Sequence, residues 1–281
     1  MRKWLIRIIF IALLCVFAFS ATRLVMIRLK YRTGEKTYSQ AVSEFTRPAG
    51  STAAGGREGN GTGDVTQYGL PGSVTVEPPR PDQAPIEVDF DLLISRSKNV
   101  AGWIYCEGTV INYPVMAAQR NNYYYVEHDF MGNRDFCGAI FIDYENERDF
   151  TDCNTIVYGH NMKNNTMFAT LEYWEEQEYY DKHPCLWLLT PEQDYRVDVF
   201  SVCHTAADSE IYDIHPEPCA GFDEYLERAI SASMIETSTE VTGQDRIVVL
   251  STCTNVYDLE RIVVFGRLTP VNSAGGVPFA A

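Results

Sequence analysis

Basic residues are in short supply in this 281-residue sequence: 23 Lys and Arg stand against 38 Asp and Glu, a formal net charge of −15. Phosphate neutralisation needs clustered Lys and Arg, so this balance argues against nucleic acid as a partner. Acidity of this degree serves solubility more often than function and selects no substrate. No CxxC spacing occurs among the eight cysteines, which leaves zinc ribbons and thioredoxin-like redox motifs without support. The acidic run at residues 143–149 (DYENERD) lacks the glycine and the spacing of an EF-hand and reads as a solvated turn. No internal repeat is present. What the chain has in quantity is apolar material. With 46% hydrophobic and 12% aromatic residues it can fill a core, as one large domain or two small ones.

The N-terminus differs from the rest. Residues 8–21 (IIFIALLCVFAFSA) are uncharged and apolar, with Arg2, Lys3 and Arg7 before them and Arg23, Arg28, Lys30 and Arg32 after. A membrane span needs about 20 apolar residues. Snorkelling of Arg7 and Arg23 extends the usable stretch to residues 4–27. An uncleaved signal-anchor at residues 1–30 is the favoured reading, and a cleavable signal with small residues at Ala18 and Ser20 is its rival. Both flanks are basic, so charge does not set orientation. Residues 31–86 are expected to be a flexible tether, with a short mixed-polar helix near 32–46. From 47 to 85, Gly, Ser, Thr and Pro dominate and apolar periodicity is absent. Such a tether would give reach, or serve as a spacer of no specific role. Residues 271–281 are expected to be a disordered tail.

Residues 87–270 form the folded part. Apolar spacing predicts a helix over 88–98 with Asp89 as its cap. Short β-branched or aromatic segments follow at 102–106, 110–115, 138–143, 155–158, 185–190, 195–204, 246–253 and 261–268. Eight such strands punctuated by turns predict a mainly β sandwich or closed barrel. Helices are predicted at 167–174 and at 222–234. The second is amphipathic through Phe222, Tyr225, Leu226, Ala229 and Ile230, and lies between the strands ending at His204 and starting at Arg246.

Outside the anchor, which holds Cys15, seven cysteines remain: Cys106, Cys137, Cys153, Cys185, Cys203, Cys219 and Cys253. An odd number leaves at least one thiol unpaired. Most read as small strand hydrophobes. Cys253 is different, because the run RIVVLSTC ends there and a polar loop precedes a second run, RIVVFGRL, that begins at Arg261. If the two strands form an antiparallel hairpin, thiol and guanidinium lie together at one rim. An adjacent cation lowers a thiol pKa and stabilises an oxyanion. A buried structural cysteine is the competing reading. His160 stands where the strand NTIVY gives way to a loop through Gly159, a usual place for a group that moves protons. A surface histidine is the bland alternative there. His204 is the rival base, closing its own strand, and His128, His183 and His215 sit in turns or acidic loops.

Together, TIVYGHNMKNNTMFATL, LSTCT and ERIVVFGRL resemble a class B sortase, and AGWIYCEGTVINYPVM with YYYVEHDFMGNRDFCGAIFIDYEN is similar to that family's early strands. The resemblance covers residues 88–269. It implies a closed eight-stranded sortase-type barrel with N-terminal helices and a helix inserted between the sixth and seventh strands. It implies Cys253 as nucleophile, His160 as general acid/base and Arg261 as oxyanion partner, with Thr252, Ser251 and Asn161 as substrate-binding or supporting residues. Val249 stands where the usual signature has Thr, a departure that does not count against a class B resemblance. The resemblance further implies no cofactor or metal, and partners that are secreted proteins with a C-terminal sorting motif and an amine of a peptidoglycan precursor or cross-bridge. The catalytic domain would then be extracellular, on a single-pass anchor in a Gram-positive cell membrane. A pilus-polymerising sortase that uses a pilin lysine, and an inactive barrel that binds wall peptides, are the alternatives.

Overall fold

The computed structural model describes residues 2–50, 83–254 and 259–271. Helix α1 (Arg2–Phe45) leads into a two-stranded antiparallel ladder of β1 (Thr46–Pro48) with β2 (Ile86–Val88). Helix α2 (Phe90–Arg96) follows, its N-terminus capped as predicted by Asp89, which accepts from the Leu92 N–H. Then come β3 (Val100–Tyr105), β4 (Asn112–Ala117), β5 (Ile140–Ile142) and β6 (Asn154–Tyr158). A 3-10 helix (Ala169–Glu175) occupies the stretch where a helix at 167–174 is predicted, and α3 (Gln177–Lys182), which is not predicted, follows it. The chain continues through β7 (Cys185–Leu189), β8 (Asp194–Ala206), a short 3-10 turn (Glu210–Tyr212), α4 (Ala220–Ser231), β9 (Ile247–Cys253) and β10 (Glu260–Val271).

Strands β3 to β10 close into an eight-stranded barrel in the order β10-β8-β7-β3-β4-β5-β6-β9. The predicted pattern left sandwich and barrel open, and the structure is the barrel. Two pairings, β4 with β5 and β6 with β9, are parallel. The apolar runs of β9 and β10 are continuous because both faces are covered. Val248, Leu250, Ile262 and Val264 enter the barrel core, while Ile247, Val249, Val263 and Phe265 join a second cluster outside it. Helix α4, between the sixth and seventh barrel strands, supplies the lid of that cluster through Phe222, Tyr225, Leu226 and Ala229. Ile230, predicted on the same stripe, lies beyond its edge and is exposed.

Helix α1 has two halves. An 18-residue window in it has mean hydropathy 2.4 with none of it buried, so it is long and apolar enough to cross a membrane, a test that a secretory signal also passes. The helix then runs without a break across the expected boundary at residue 30. Tyr31, Gly34, Tyr38, Ala41 and Phe45, spaced 3, 4, 3 and 4 apart, turn one face to the barrel, and the last four are buried. Polar residues between these five mask the stripe in sequence. Of the tether expected over 31–86, residues 51–82 lie outside the described residues, as does the tail from 272. The ends of that stretch are described: Thr46 pairs with Val88, and Ala49 N–H donates to Pro85 O at 2.9 Å. The chain therefore returns to the place it left.

Candidate active site

Cys253 ends β9 with its side chain exposed, and Arg261, at the start of β10, is its direct cross-strand partner. Side chains alternate along a strand, so opposed residues share a face. The hairpin expected from sequence thus sets Cys253 and Arg261 opposite each other at one strand end, where Arg261 Nη1 also donates to Glu260 O at 2.9 Å. Among the other cysteines, burial pushes the Cys106 and Cys137 thiols up to about 12 and Cys203 up to about 11, which keeps them protonated. The exposed thiols are Cys15, Cys219 and Cys253, and of these Cys253 has the arginine opposite it.

The parallel ladder between β6 and β9 delivers the histidine. Tyr158 pairs with Ser251, and the two chains stay adjacent beyond the strand ends. Gly159 N–H donates to Ser251 O at 3.2 Å, and Thr252 Oγ1 donates to Gly159 O at 2.8 Å. Asn161 Nδ2 donates to Cys253 O at 2.8 Å. The segments 159–161 and 251–253 are therefore laced together by three hydrogen bonds. His160 stands within this lacing, and its Nε2 lies 2.8 Å from Val126 O. Gly159 admits no side chain: a Cβ there would meet Phe168 at 2.7 Å.

Ser251 and Thr252 are buried, and their hydroxyls go to Tyr212 OH (2.9 Å) and Gly159 O. Asn161 spans Cys253 O and, at 2.6 Å, Glu172 Oε1. All three brace the strand ends. The rival base, His204, is engaged elsewhere: Nε2 is 2.8 Å from Glu175 and Nδ1 3.4 Å from Glu260. Burial disfavours its charge, but the two carboxylates outweigh burial and raise its pKa.

Comparison with known proteins decides the family. A model of the Sortase domain matches residues 104–269, more than half of the chain. The chain belongs to the sortase family. Its relatives place it in class B: the sortase B of Staphylococcus aureus is 33% identical over 192 residues, 68% of this chain and 78% of that protein. The sortase B of Listeria monocytogenes is 34% identical over 174 residues, 61% of this chain and 70% of its own. A crystal structure of S. aureus sortase B superposes with a TM-score of 0.61 at 33% identity, covering 65% of this chain and 87% of that one. A Bacillus anthracis sortase B in complex with AAEK1 superposes at 0.65 and 27% identity, covering 86% of this chain and 99% of that one. The protein is thus a cysteine transpeptidase of the sortase type.

Several groups of this sortase site gave no sequence signal. Tyr212, one of 17 tyrosines, lies in a loop-like stretch yet reaches Ser251 and feels the charges of Arg261 and Cys253. Burial pushes its phenol up to about 12, against the pull of the Ser251 bond and of Arg261. Val126, the partner of His160, acts through its backbone, which no residue pattern announces. Behind His160 lies a cavity of about 640 Å³ walled by Leu29, Lys30 and Thr33 of α1 and by Val126 and residues 134–136 of the facing loop.

Proposed function

We propose that this sortase cleaves a C-terminal sorting motif after Thr and transfers the shortened protein to a cell-wall peptidoglycan amine. The reading rests on one observation above all: Cys253 and Arg261 are opposed residues of neighbouring strands, with His160 carried to the same strand end by the β6–β9 ladder. The Cys253 thiolate attacks the Thr carbonyl carbon, and the carbonyl electron pair moves onto oxygen. Arg261, with backbone N–H groups near Cys253, holds that oxyanion. Collapse expels the amine of the next residue, which takes a proton from His160 and leaves a thioester on Cys253. An incoming amine then attacks the thioester while His160 accepts its proton, and the thiolate is released. Hydrolysis is the side reaction when water takes the place of the amine. Solved relatives include an S. aureus sortase B–substrate complex and a sortase B complex with triglycine, which supports a peptide donor and an amine acceptor for this chain.

The same reading makes α1 an uncleaved anchor, with the catalytic body on the outer face of a Gram-positive membrane. Continuity of α1 from its apolar half into its packed half supports this. Mass spectrometry of the full chain with a library of sorting peptides tests the chemistry. An acyl-enzyme on Cys253 is expected, absent in Cys253→Ala. Turnover by Cys253→Ala sinks the assignment. Acyl transfer to a pilin lysine but not to a wall-derived amine would turn the reading to pilus polymerisation. An inert Cys253 would turn it to a binding barrel.

A further inference from the structure

The second half of α1 does more than dock. It grips both loops that flank His160. On one side, Tyr31 meets Phe136 edge-on at 5.4 Å, and a Cβ at Gly34 would collide with Cys137 Sγ. On the other side, Glu35 Oε1 accepts from Asn164 Nδ2 at 2.7 Å. Between these contacts, Tyr38 is buried, packed edge-on against Tyr113 (5.3 Å) and obliquely on Phe130 (5.8 Å). Its hydroxyl donates a short hydrogen bond to the Gly138 carbonyl.

Gly138 lies close against the histidine and the carbonyl it meets. Its backbone sits at φ +58°, and a Cβ there would lie 2.5 Å from Tyr125 O, 2.8 Å from Val126 O and 3.1 Å from His160 Cδ2. Val126 O is the atom that His160 Nε2 meets at 2.8 Å. The Ala139 N–H, one residue on, donates to Tyr125 O at 2.9 Å, which closes the loop on itself. The imidazole therefore rests on a backbone loop whose far side is held by a phenol of the membrane-proximal helix.

We propose that Tyr38 is a positioning residue for His160: by fixing the Gly138 carbonyl, its hydroxyl sets the 126–138 loop that orients the imidazole. The proposal rests on the reading of His160 as the proton carrier. A buried carbonyl stripped of its donor relaxes toward another partner, and here relaxation moves the Val126 carbonyl with it. Burial, with the charges of Asp129 and Asp135 adding, holds the Tyr38 phenol well above its ordinary pKa, so it remains a donor across the working pH range. Misplacement of a reacting group by a fraction of an ångström shows in the chemical step rather than in substrate affinity.

The experiment uses the full chain in detergent micelles, with the library peptide that acylates wild type fastest. Tyr38→Phe keeps the ring and removes the hydroxyl. Acyl-enzyme formation at saturating peptide is expected to slow about tenfold, within the range for a misplaced catalytic group, with half-saturation unchanged. In a His160→Ala background Tyr38→Phe is expected to add nothing, because both act through one imidazole. Ring-nitrogen NMR of ¹⁵N-histidine-labelled protein gives a readout free of turnover: the His160 signals should move in Tyr38→Phe and those of His204 should not. An unchanged rate, an equal loss in both backgrounds, or a His160 spectrum identical to wild type overturns the proposal. If His160→Ala itself turns over normally, the proton-carrier reading fails, and the spectrum alone decides whether Tyr38 holds the ring.

Discussion

Replacing Gly138 with alanine tests the loop under His160 from its other side. The left-handed backbone there costs an alanine about 1–2 kcal/mol. The added methyl group would sit 2.5 Å from Tyr125 O and 2.8 Å from Val126 O, both backbone atoms of the facing turn. Relief to a relaxed contact of ~3.5 Å requires a shift of about 1 Å, and overpacking of this kind costs about 1–3 kcal/mol. The sum is about 2–5 kcal/mol of stability. The same 1 Å falls on the carbonyl that His160 meets, where misplacement of that size costs about 10²-fold in rate. Gly132→Ala is the matched control, since Gly132 also has positive φ (+80°) but its Cβ would meet only the Tyr124 hydroxyl, at 3.2 Å. Urea denaturation and acyl-enzyme formation at a temperature where both variants are folded provide the comparison. Gly138→Ala should lose both stability and rate, and Gly132→Ala only stability. Equal rates in the two variants would refute the idea that this loop orients the imidazole.

Arg261→Ala should slow acyl-enzyme formation about 10²–10³-fold with the fold intact, as loss of an oxyanion donor does, and Arg261→Lys should recover little because an ammonium lacks the guanidinium fork. Thr252→Val keeps the shape but strips Gly159 O of its donor, and should cost about 1–3 kcal/mol by urea denaturation. His204 gains its carboxylate partners only on folding, so its folded pKa is raised. Its contribution is therefore full below about pH 6.5, the unfolded value, and is lost as pH climbs through the folded value. The stability gap between wild type and His204→Gln should shrink from pH 5.5 to pH 8.5, staying under about 1 kcal/mol since both partners are partly exposed. A gap that grows with pH would contradict the sign.

The barrel strands were legible because each is a short run rich in β-branched, aromatic or other apolar residues cut off by turn residues, and all eight appear within a few residues of their predicted bounds. The β9–β10 hairpin, and with it the Cys253–Arg261 pairing, could be read from two adjacent runs and one short loop. The approach of His160 could not. It depends on a parallel pairing between segments some ninety residues apart, and nothing local in NTIVY selects its partner strand. Asn161 stands next to the histidine in sequence, but the reach of its amide to Cys253 O and Glu172 is set by the same long-range pairing. The stripe Tyr31, Gly34, Tyr38, Ala41, Phe45 was present in the sequence, but a glycine and two tyrosines among charged neighbours do not look apolar until the surface they meet is known.

The β1–β2 ladder means that the polypeptide leaves and re-enters the protein through one doorway. Residues 51–82 are then a detour in the connectivity, and their number does not set the distance from the apolar half of α1 to the barrel. Stand-off height belongs instead to α1, a strut that climbs about 1.5 Å per residue, or some 12 Å from Lys30 to Tyr38. Trimming the detour would leave that height unchanged. A single residue inserted into the strut would swing every side chain above it by about 100° and turn Tyr38 away from the barrel.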